Sequence, residues 1–311
     1  MTLRKLREAW DHFFFTPRSP VPISLFRIFW GICVSAKIIL LHSDWLNWYG
    51  VHGWVTLQTM QVVEPGIRLN LFTVMPQDDR WIAAFFWVFL GFALLLTVGL
   101  WTRVMSVAVF LCLTSIDQRN LLMLHGGDTF LRCAGFFLMF APAGAAFSLD
   151  RLIAIRSRKQ DAQIKSRAPW AQRIIQIELA LLYLTSFFWK LKGHTWLNGT
   201  ALYYVMHLHS IARFPLPHWI QSTAMLRAGS WFTLALEFSL GTLIWSRRFR
   251  YPLLLVGLLF HLSIEYSFNL PLFEFDVLTA YILFVDPVDL EKWWSALRQH
   301  LGGRRAVPLL S

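Results

Sequence analysis

The stretch WIAAFFWVFLGFALLLTVGL, from Trp81 to Leu100, decides the fold because it contains no charged side chain. A bilayer core about 30 Å thick is crossed by a helix of roughly 20 apolar residues. Across the 311 residues, 56% are hydrophobic and only 15% are charged, whereas soluble proteins carry about 25% charged residues. The sequence therefore predicts an all-α integral membrane protein.

Further apolar runs flank this stretch and predict a polytopic bundle of about eight transmembrane helices. Lys and Arg cluster at both ends of the chain and in alternate loops, and the positive-inside rule makes those segments, and so both termini, cytoplasmic. No pattern of a cleavable signal or eukaryotic targeting signal is seen, which favours a multi-pass protein of a bacterial inner membrane. The eight spans are predicted near residues 21–41, 81–100, 103–121, 127–147, 172–192, 229–246, 251–270 and 272–287.

The net charge of +11 would indicate a nucleic-acid partner in a soluble protein, but here the basic loops account for it, and no nucleic-acid partner is expected. No Cys/His framework or HExxH pattern is present, so no metal is predicted. We predict a transmembrane domain over residues 1–290 and a short basic cytoplasmic tail over 291–311. The bilayer is the expected partner.

Ionisable side chains inside a membrane are costly and are functional candidates by default. Counted along the predicted spans, most of them lie in the outer half, on several different helices, as the wall of a pocket open to the outside would require. Arg27 and Glu178 lie near enough to the cytoplasmic edge to snorkel. The outer-half residues are Lys37, Asp117, Arg119, Asp128, Arg132, Lys190, Glu237 and His261.

Lys190 follows the run Phe187-Phe188-Trp189 and precedes Lys192. Desolvation by the aromatic run, with like-charge pressure from Lys192, would favour a neutral amine, which can act as a base. A base in a membrane pocket suits a lipophilic quinol, whose phenolic hydroxyl loses a proton before it reacts with oxygen.

Each candidate also has a purely structural interpretation. Lys190 can snorkel to headgroups, Glu237 can be a neutral packing carboxyl, and His261 can bond a backbone carbonyl. Asp128 can cap a helix. A structural ion network is the alternative for Asp117, Arg119 and Arg132.

Five motifs occur in an order that resembles a known family. Together they resemble the membrane domain of vitamin K-dependent gamma-carboxylase, within the horizontally transferred transmembrane (HTTM) domain family. The motifs are SLFRIFWG (Ser24 to Gly31), RNLLMLHGGD (Arg119 to Asp128), FSLDRL (Phe147 to Leu152), KLKGHTWLNGTALYY (Lys190 to Tyr204) and FHLSI (Phe260 to Ile264).

The resemblance implies that a lysine before the Trp-x-x-Gly turn deprotonates vitamin K hydroquinone. Lys190 matches it if one residue is inserted before Trp196, and Leu191 matches without the insertion. His261 matches a carboxylase histidine, and an Asn-His pair of the carboxylase aligns with Gly-Gly here, beside His125.

Residues of the matching motifs, together with Glu237 of the predicted sixth span, make up the predicted site. We assign Lys190, His261 and Glu237 to catalysis, and His125, Asp128 and Trp196 to binding the cosubstrate, vitamin K hydroquinone or menaquinol. The implied chemistry is that of a carboxylase or oxygenase-like lyase.

Two functions are consistent with the sequence. One is a membrane enzyme that uses a quinol and a lysine base, with a secreted peptide or protein as the further substrate. The other is a non-catalytic membrane maturation or accessory factor for a secreted peptide or protein. A transporter is disfavoured, because the polar residues stop near the midplane and a transport path needs them in both halves.

Overall fold

The computed structural model describes residues 3–63, 65–66, 68–158, 161 and 163–300. Within them there is no β-strand, only two isolated bridges, so the predicted all-α class is confirmed. The helices are α1 (Leu3–Phe15), α2 (Val21–Leu40), α3 (Trp45–Tyr49), α4 (Leu57–Val63), α5 (Asp79–Val98), α6 (Thr102–Arg119), α7 (Gly126–Leu138), α8 (Leu149–Arg156), α9 (Trp170–Leu191), α10 (His194–Leu197), α11 (Ala201–Met206), α12 (Thr223–Thr242), α13 (Arg247–Ser267), α14 (Phe273–Leu278) and α15 (Pro287–His300).

The chain divides into two compact units. The first unit contains the described residues up to Ile175 and those from Val285 onward, and the second unit is Gln176–Phe284. In the first unit α5 packs on α2, α3 and α6, and α6 also packs on α7. In the second unit α12 contacts α10, α11 and α13, and α13 contacts α14.

Local signals set the ends of α5, the helix that contains most of the apolar stretch from Trp81 to Leu100. Asp78 begins it, since its side chain accepts a hydrogen bond from the backbone N–H of Arg80 at 2.8 Å. Gly99 ends it in a left-handed conformation with φ of 74°, which glycine adopts without steric cost. The observed helix therefore begins and ends two residues earlier than the predicted span 81–100.

Three of the described helices, α2, α5 and α9, are long and apolar enough to cross a membrane. Helices α6, α12 and α13 are of similar length, at 18, 20 and 21 residues, but they are more polar. The number of eight spans stays a prediction.

Two predicted spans differ from the observed helices. The fourth, 127–147, ends as a helix at Leu138, because Pro142 follows and a helix does not continue into a proline. The eighth, 272–287, is α14 followed by a 3-10 helix, Thr279–Phe284. At that junction the Thr279 hydroxyl donates to the Asp276 carbonyl at 2.7 Å, which competes with the regular helical hydrogen bond. Residues 301–311 of the predicted tail lie outside the described residues.

The prediction that Arg27 snorkels is wrong, because its side chain is fully buried in the first unit. Its guanidinium donates to the carbonyls of Ala143 at 2.8 Å and Phe147 at 2.6 Å. Nearby, the Asp150 carboxylate caps α6 by accepting from the backbone N–H groups of Trp101 and Thr102, both at 2.7 Å. The motifs SLFRIFWG and FSLDRL are thus joined by hydrogen bonds that fix the turns between helices.

Candidate functional site

One face of α9 carries the polar residues of the candidate site in the second unit. Tyr183, Ser186 and Lys190 are spaced i, i+3 and i+7, so their side chains line the same face of the helix. Gln176 lies seven residues before Tyr183 on the same face and is buried. Its side-chain amide donates a hydrogen bond to the Leu283 carbonyl at 2.6 Å. This face of α9 therefore contacts several other segments of the second unit.

Lys190 forms an ion pair with Glu237 of α12. Its Nζ donates to Glu237 Oε1 at 2.5 Å and to the Ser186 hydroxyl at 2.6 Å. The Ser186 hydroxyl itself donates to Glu237 Oε1 at 3.1 Å. The Glu237 side chain is 7% exposed and that of Lys190 21%, so the pair is largely shielded from solvent but still reachable at the lysine.

The two carboxylate oxygens of Glu237 differ in their hydrogen bonding. Its Oε2 is buried and has no hydrogen-bond partner within the part of the chain that the structure describes. A buried acceptor without a donor is unfavourable, and each such group in a native structure calls for an explanation. A hydroxyl group of a bound molecule would satisfy it.

The segment after α9 places an aromatic ring beside the lysine. The Trp196 ring centroid lies 5.1 Å from Lys190 Nζ, within cation–π range. Gly199 turns the chain with φ of 76°, and the Trp231 indole of α12 donates to the Leu197 carbonyl at 3.1 Å. These contacts hold the Trp-x-x-Gly turn against α12.

Lys192 lies apart from this pair. Its side chain is exposed, and its Nζ lies 4.1 Å from the ring centroid of Trp189, which is itself exposed. Residues two apart on a helix do not share a face. The geometry gives no support to the predicted like-charge pressure of Lys192 on Lys190.

A second, fully buried network surrounds His261 of α13. His261 Nδ1 is hydrogen-bonded to the Glu274 carboxylate of α14, and its Nε2 lies 2.6 Å from the Tyr183 hydroxyl. The Tyr183 hydroxyl is also 2.7 Å from that of Tyr281. Because a carboxylate accepts, a neutral His261 donates from Nδ1 and accepts from Tyr183 at Nε2. His261 therefore bonds side chains, not a backbone carbonyl as its structural alternative assumed.

Tyr183 places the two networks side by side on α9. It lies on the same helix face as Ser186 and Lys190, and its hydroxyl belongs to the network of His261. Glu274 is fully buried, and its Oε1, like Glu237 Oε2, lacks a partner among the described residues. The second unit thus combines an amine, two carboxylates, an imidazole and two phenols in a buried setting that suits proton transfer.

The first unit holds the other two predicted binding residues, His125 and Asp128. They form a capping box at the start of α7: His125 Nδ1 accepts from the Gly127 N–H at 3.1 Å, and Asp128 Oδ2 accepts from the His125 N–H at 3.0 Å. Asp128 Oδ1 also accepts from Lys37 at 2.7 Å. Their geometry matches the capping alternative, and their predicted role in binding a cosubstrate stays a prediction.

Lys37 is the centre of the ion network in the first unit. Besides Asp128 it contacts Asp117 Oδ1 at 3.1 Å, and Arg132 lies 3.4 Å from Asp117 Oδ2. Arg119 donates instead to the Val55 carbonyl at 2.8 Å. At the end of α3, burial raises the pKa of the Tyr49 phenol against the opposing effect of Lys37, so this phenol stays protonated at neutral pH.

Sequence reasoning missed Tyr183, Ser186, Glu274 and Tyr281. The spacing of Tyr183 and Ser186 from Lys190 was a signal that a helical projection would have detected. Glu274 carried a signal as well, since it is a carboxylate inside the predicted span 272–287. No comparable signal marked Tyr281.

Gly257 makes room for the Tyr281 ring, so we expect Gly257→Ala to destabilise the second unit. An added Cβ would lie 3.1 Å from Tyr281 Cε2 and Cζ, and closer still to the hydroxyl oxygen. Overpacking of this kind costs about 1–3 kcal/mol. The melting temperature in detergent should fall for Gly257→Ala and recover in part with Tyr281→Phe. Gly91→Ala is the control, because nothing lies within 4 Å of the added atom there; equal melting of the two alanine variants would contradict this packing.

Helices of membrane-spanning length with buried acid–base groups define a helical membrane protein with a polar interior. The chain belongs to the HTTM domain family, whose model matches residues 15–288. Comparisons with curated proteins and with solved structures returned no match. The family match confirms the resemblance drawn from the motifs, and with the apolar helices it supports a membrane protein of the carboxylase-related family.

Proposed function

We propose that this protein is a membrane enzyme that oxidises a quinol-type cosubstrate, with Lys190 as the base. The observation that carries the proposal is the Lys190–Glu237 pair, in which a lysine, a largely buried carboxylate and an unsatisfied oxygen lie together. In this proposal the chain crosses a bacterial inner membrane about eight times with both termini cytoplasmic. Vitamin K hydroquinone or menaquinol is the cosubstrate.

The residues at the pair fit a hydroquinone. Glu237 Oε2 offers an acceptor for one hydroxyl, and the Trp196 ring offers an apolar surface beside Lys190. Lys190 is exposed enough to be reached, whereas Glu237 is buried behind it. When bound, a quinol supplies two electrons and two protons to dioxygen.

Lys190 takes up the phenolic proton in this proposal. Transfer of the ammonium proton to Glu237 leaves a neutral amine, which then accepts the proton of the hydroxyl that faces it. Ser186 holds the lysine in place through its hydroxyl. Glu274 orients His261, and His261 holds the Tyr183 hydroxyl on the face of α9 that also carries Lys190, so His261 has a supporting role in this proposal.

Oxygen uptake tests the proposal directly. Purified wild-type protein with a reduced naphthoquinone should consume oxygen above the rate of the quinol alone, and the Lys190→Met variant should not. Absence of uptake by folded wild type, tested with and without candidate secreted peptides, would overturn the quinol mechanism. A peptide that stimulates uptake would identify a substrate for the carboxylase-type reaction.

A second candidate is a non-catalytic accessory factor for a secreted peptide or protein. The observation that favours it is a set of exposed aromatic side chains in the segments between the predicted spans, a residue type enriched at protein interfaces. In that case maturation of the partner would tolerate Lys190→Met but not alanine at these positions. The aromatic residues are Trp54, Tyr203, Tyr204 and Trp219.

A further inference from the structure

A cavity of about 780 Å³ in the first unit is unrelated to the candidate site of the second unit. It lies between the beginning of α6, the segment that follows α7, the beginning of α8 and described residues between positions 158 and 168. By the positive-inside rule this region is on the predicted cytoplasmic side.

Cationic side chains dominate the lining of this cavity. Among the described lining residues there are five cations, Arg103, Arg151, Arg158, Lys165 and Arg167, and two carboxylates, Asp150 and Asp161.

The two carboxylates offset only part of this positive charge. Asp150 uses both of its oxygens to cap α6. Asp161 is 80% exposed and 4.0 Å from Lys165, a surface pair of the kind that contributes little. For Arg103 and Arg158 no acidic partner is found in the described part of the chain. The cavity therefore presents uncompensated guanidinium groups, which bind phosphate oxygens in a bidentate manner.

Exposed apolar side chains lie on α8, a helix that contributes to the cavity lining through other residues. Leu149, Leu152 and Ile153 are spaced i, i+3 and i+4 on α8 and are all exposed, while Arg151 of the same helix lines the cavity. Phe140, also exposed, forms part of the lining. An apolar helix face beside basic residues is typical of a helix that lies in the membrane interface.

We propose that this cavity binds the phosphate group of an anionic phospholipid on the cytoplasmic side. The guanidinium groups of Arg103 and Arg158 contact the phosphate, and the acyl chains extend along Phe140. The apolar face of α8 lies in the membrane interface, which places the cavity at the level of the headgroups. Basic cavities at the cytoplasmic edge of transmembrane helices are suited to anionic headgroups. A soluble phosphate compound would share the cationic contacts but would make no use of the exposed Phe140 ring.

Binding of a short-chain lipid to the full-length protein in a neutral detergent tests this. Dioctanoyl-phosphatidylglycerol should bind wild type at least about tenfold more tightly than dioctanoyl-phosphatidylcholine, and Arg103→Gln/Arg158→Gln should lose most of that preference. The matched control is Arg247→Gln/Arg248→Gln, which removes two exposed arginines of the second unit. The control should bind within about twofold of wild type.

Three results would overturn the proposal. One is equal affinity for the two lipids, and another is unchanged phosphatidylglycerol binding by Arg103→Gln/Arg158→Gln. The third is full displacement of the lipid by inorganic phosphate at a similar concentration, which would assign the cavity to a soluble anion. Melting curves of both double variants establish that they are folded, since all four arginines are exposed.

Discussion

Lys190→Met is expected to lower quinol-dependent oxygen uptake by about 10²–10⁴-fold, because general-base catalysis typically contributes that much. The substitution keeps most of the side-chain volume and removes the nitrogen that bonds Glu237 and Ser186. Lys190→Arg separates a base role from a purely electrostatic role. A guanidinium stays protonated and cannot take up a proton, so Lys190→Arg should be as inactive as Lys190→Met although the charge is retained.

The matched control for this prediction is Lys192→Met. Lys192 lies two residues further along the chain, is exposed and stacks on Trp189, so its loss should change uptake by less than about twofold. The variant Lys190→Met/Glu237→Gln avoids an unpaired buried carboxylate, which allows loss of activity to be separated from loss of folding. Substantial activity in Lys190→Arg would exclude a base role and leave a purely electrostatic one.

The Lys37→Met variant should lose about 3–5 kcal/mol of the free energy of unfolding, because removing one partner of a buried ion pair leaves the other charge uncompensated. Lys37 contacts two carboxylates, those of Asp117 and Asp128, which are 1% and 5% exposed. Without the ammonium, two buried like charges would lie near each other, and Arg132 contacts only the first of them. Unfolding by a denaturing detergent in mixed micelles measures the loss.

The control for the ion network is Lys165→Met, which removes an exposed partner of Asp161. Such surface pairs contribute about 0–1 kcal/mol, so its unfolding should match that of wild type. Lys37→Met/Asp128→Asn should be more stable than Lys37→Met, since the new amide can donate to Asp117 and still accept from the His125 N–H. If Lys37→Met unfolded like Lys165→Met, the buried network would have no stabilising role.

The fold class could be predicted from the sequence because it depends on local properties. Uninterrupted apolar runs, such as that from Trp81 to Leu100, form helices whose existence does not depend on knowing their neighbours. The ends of the helices were less predictable where proline or a side-chain cap acts, as at Asp78 and Pro142. The family could be predicted as well, since it rests on motifs in a fixed order.

The residues that these motifs contact could not be predicted, because they lie far from the motifs in the sequence. Arg27 bonds carbonyls 116 and 120 residues away, and this decides that it is buried and not at the membrane surface. A guanidinium can be satisfied by carbonyls as well as by water. Amino-acid composition alone does not show whether the guanidinium is bonded to carbonyls or to water.

For the candidate site, the sequence by itself determined that a lysine ends the apolar run of α9 and that a carboxylate and a histidine lie within later apolar runs. Only the tertiary structure decided which of them meet. Glu237, 47 residues from Lys190, reaches the lysine, while His261, 78 residues from Tyr183, bonds the tyrosine and Glu274. The physical reason is that helix periodicity specifies which side chains share a face, whereas the packing of helices specifies what that face contacts.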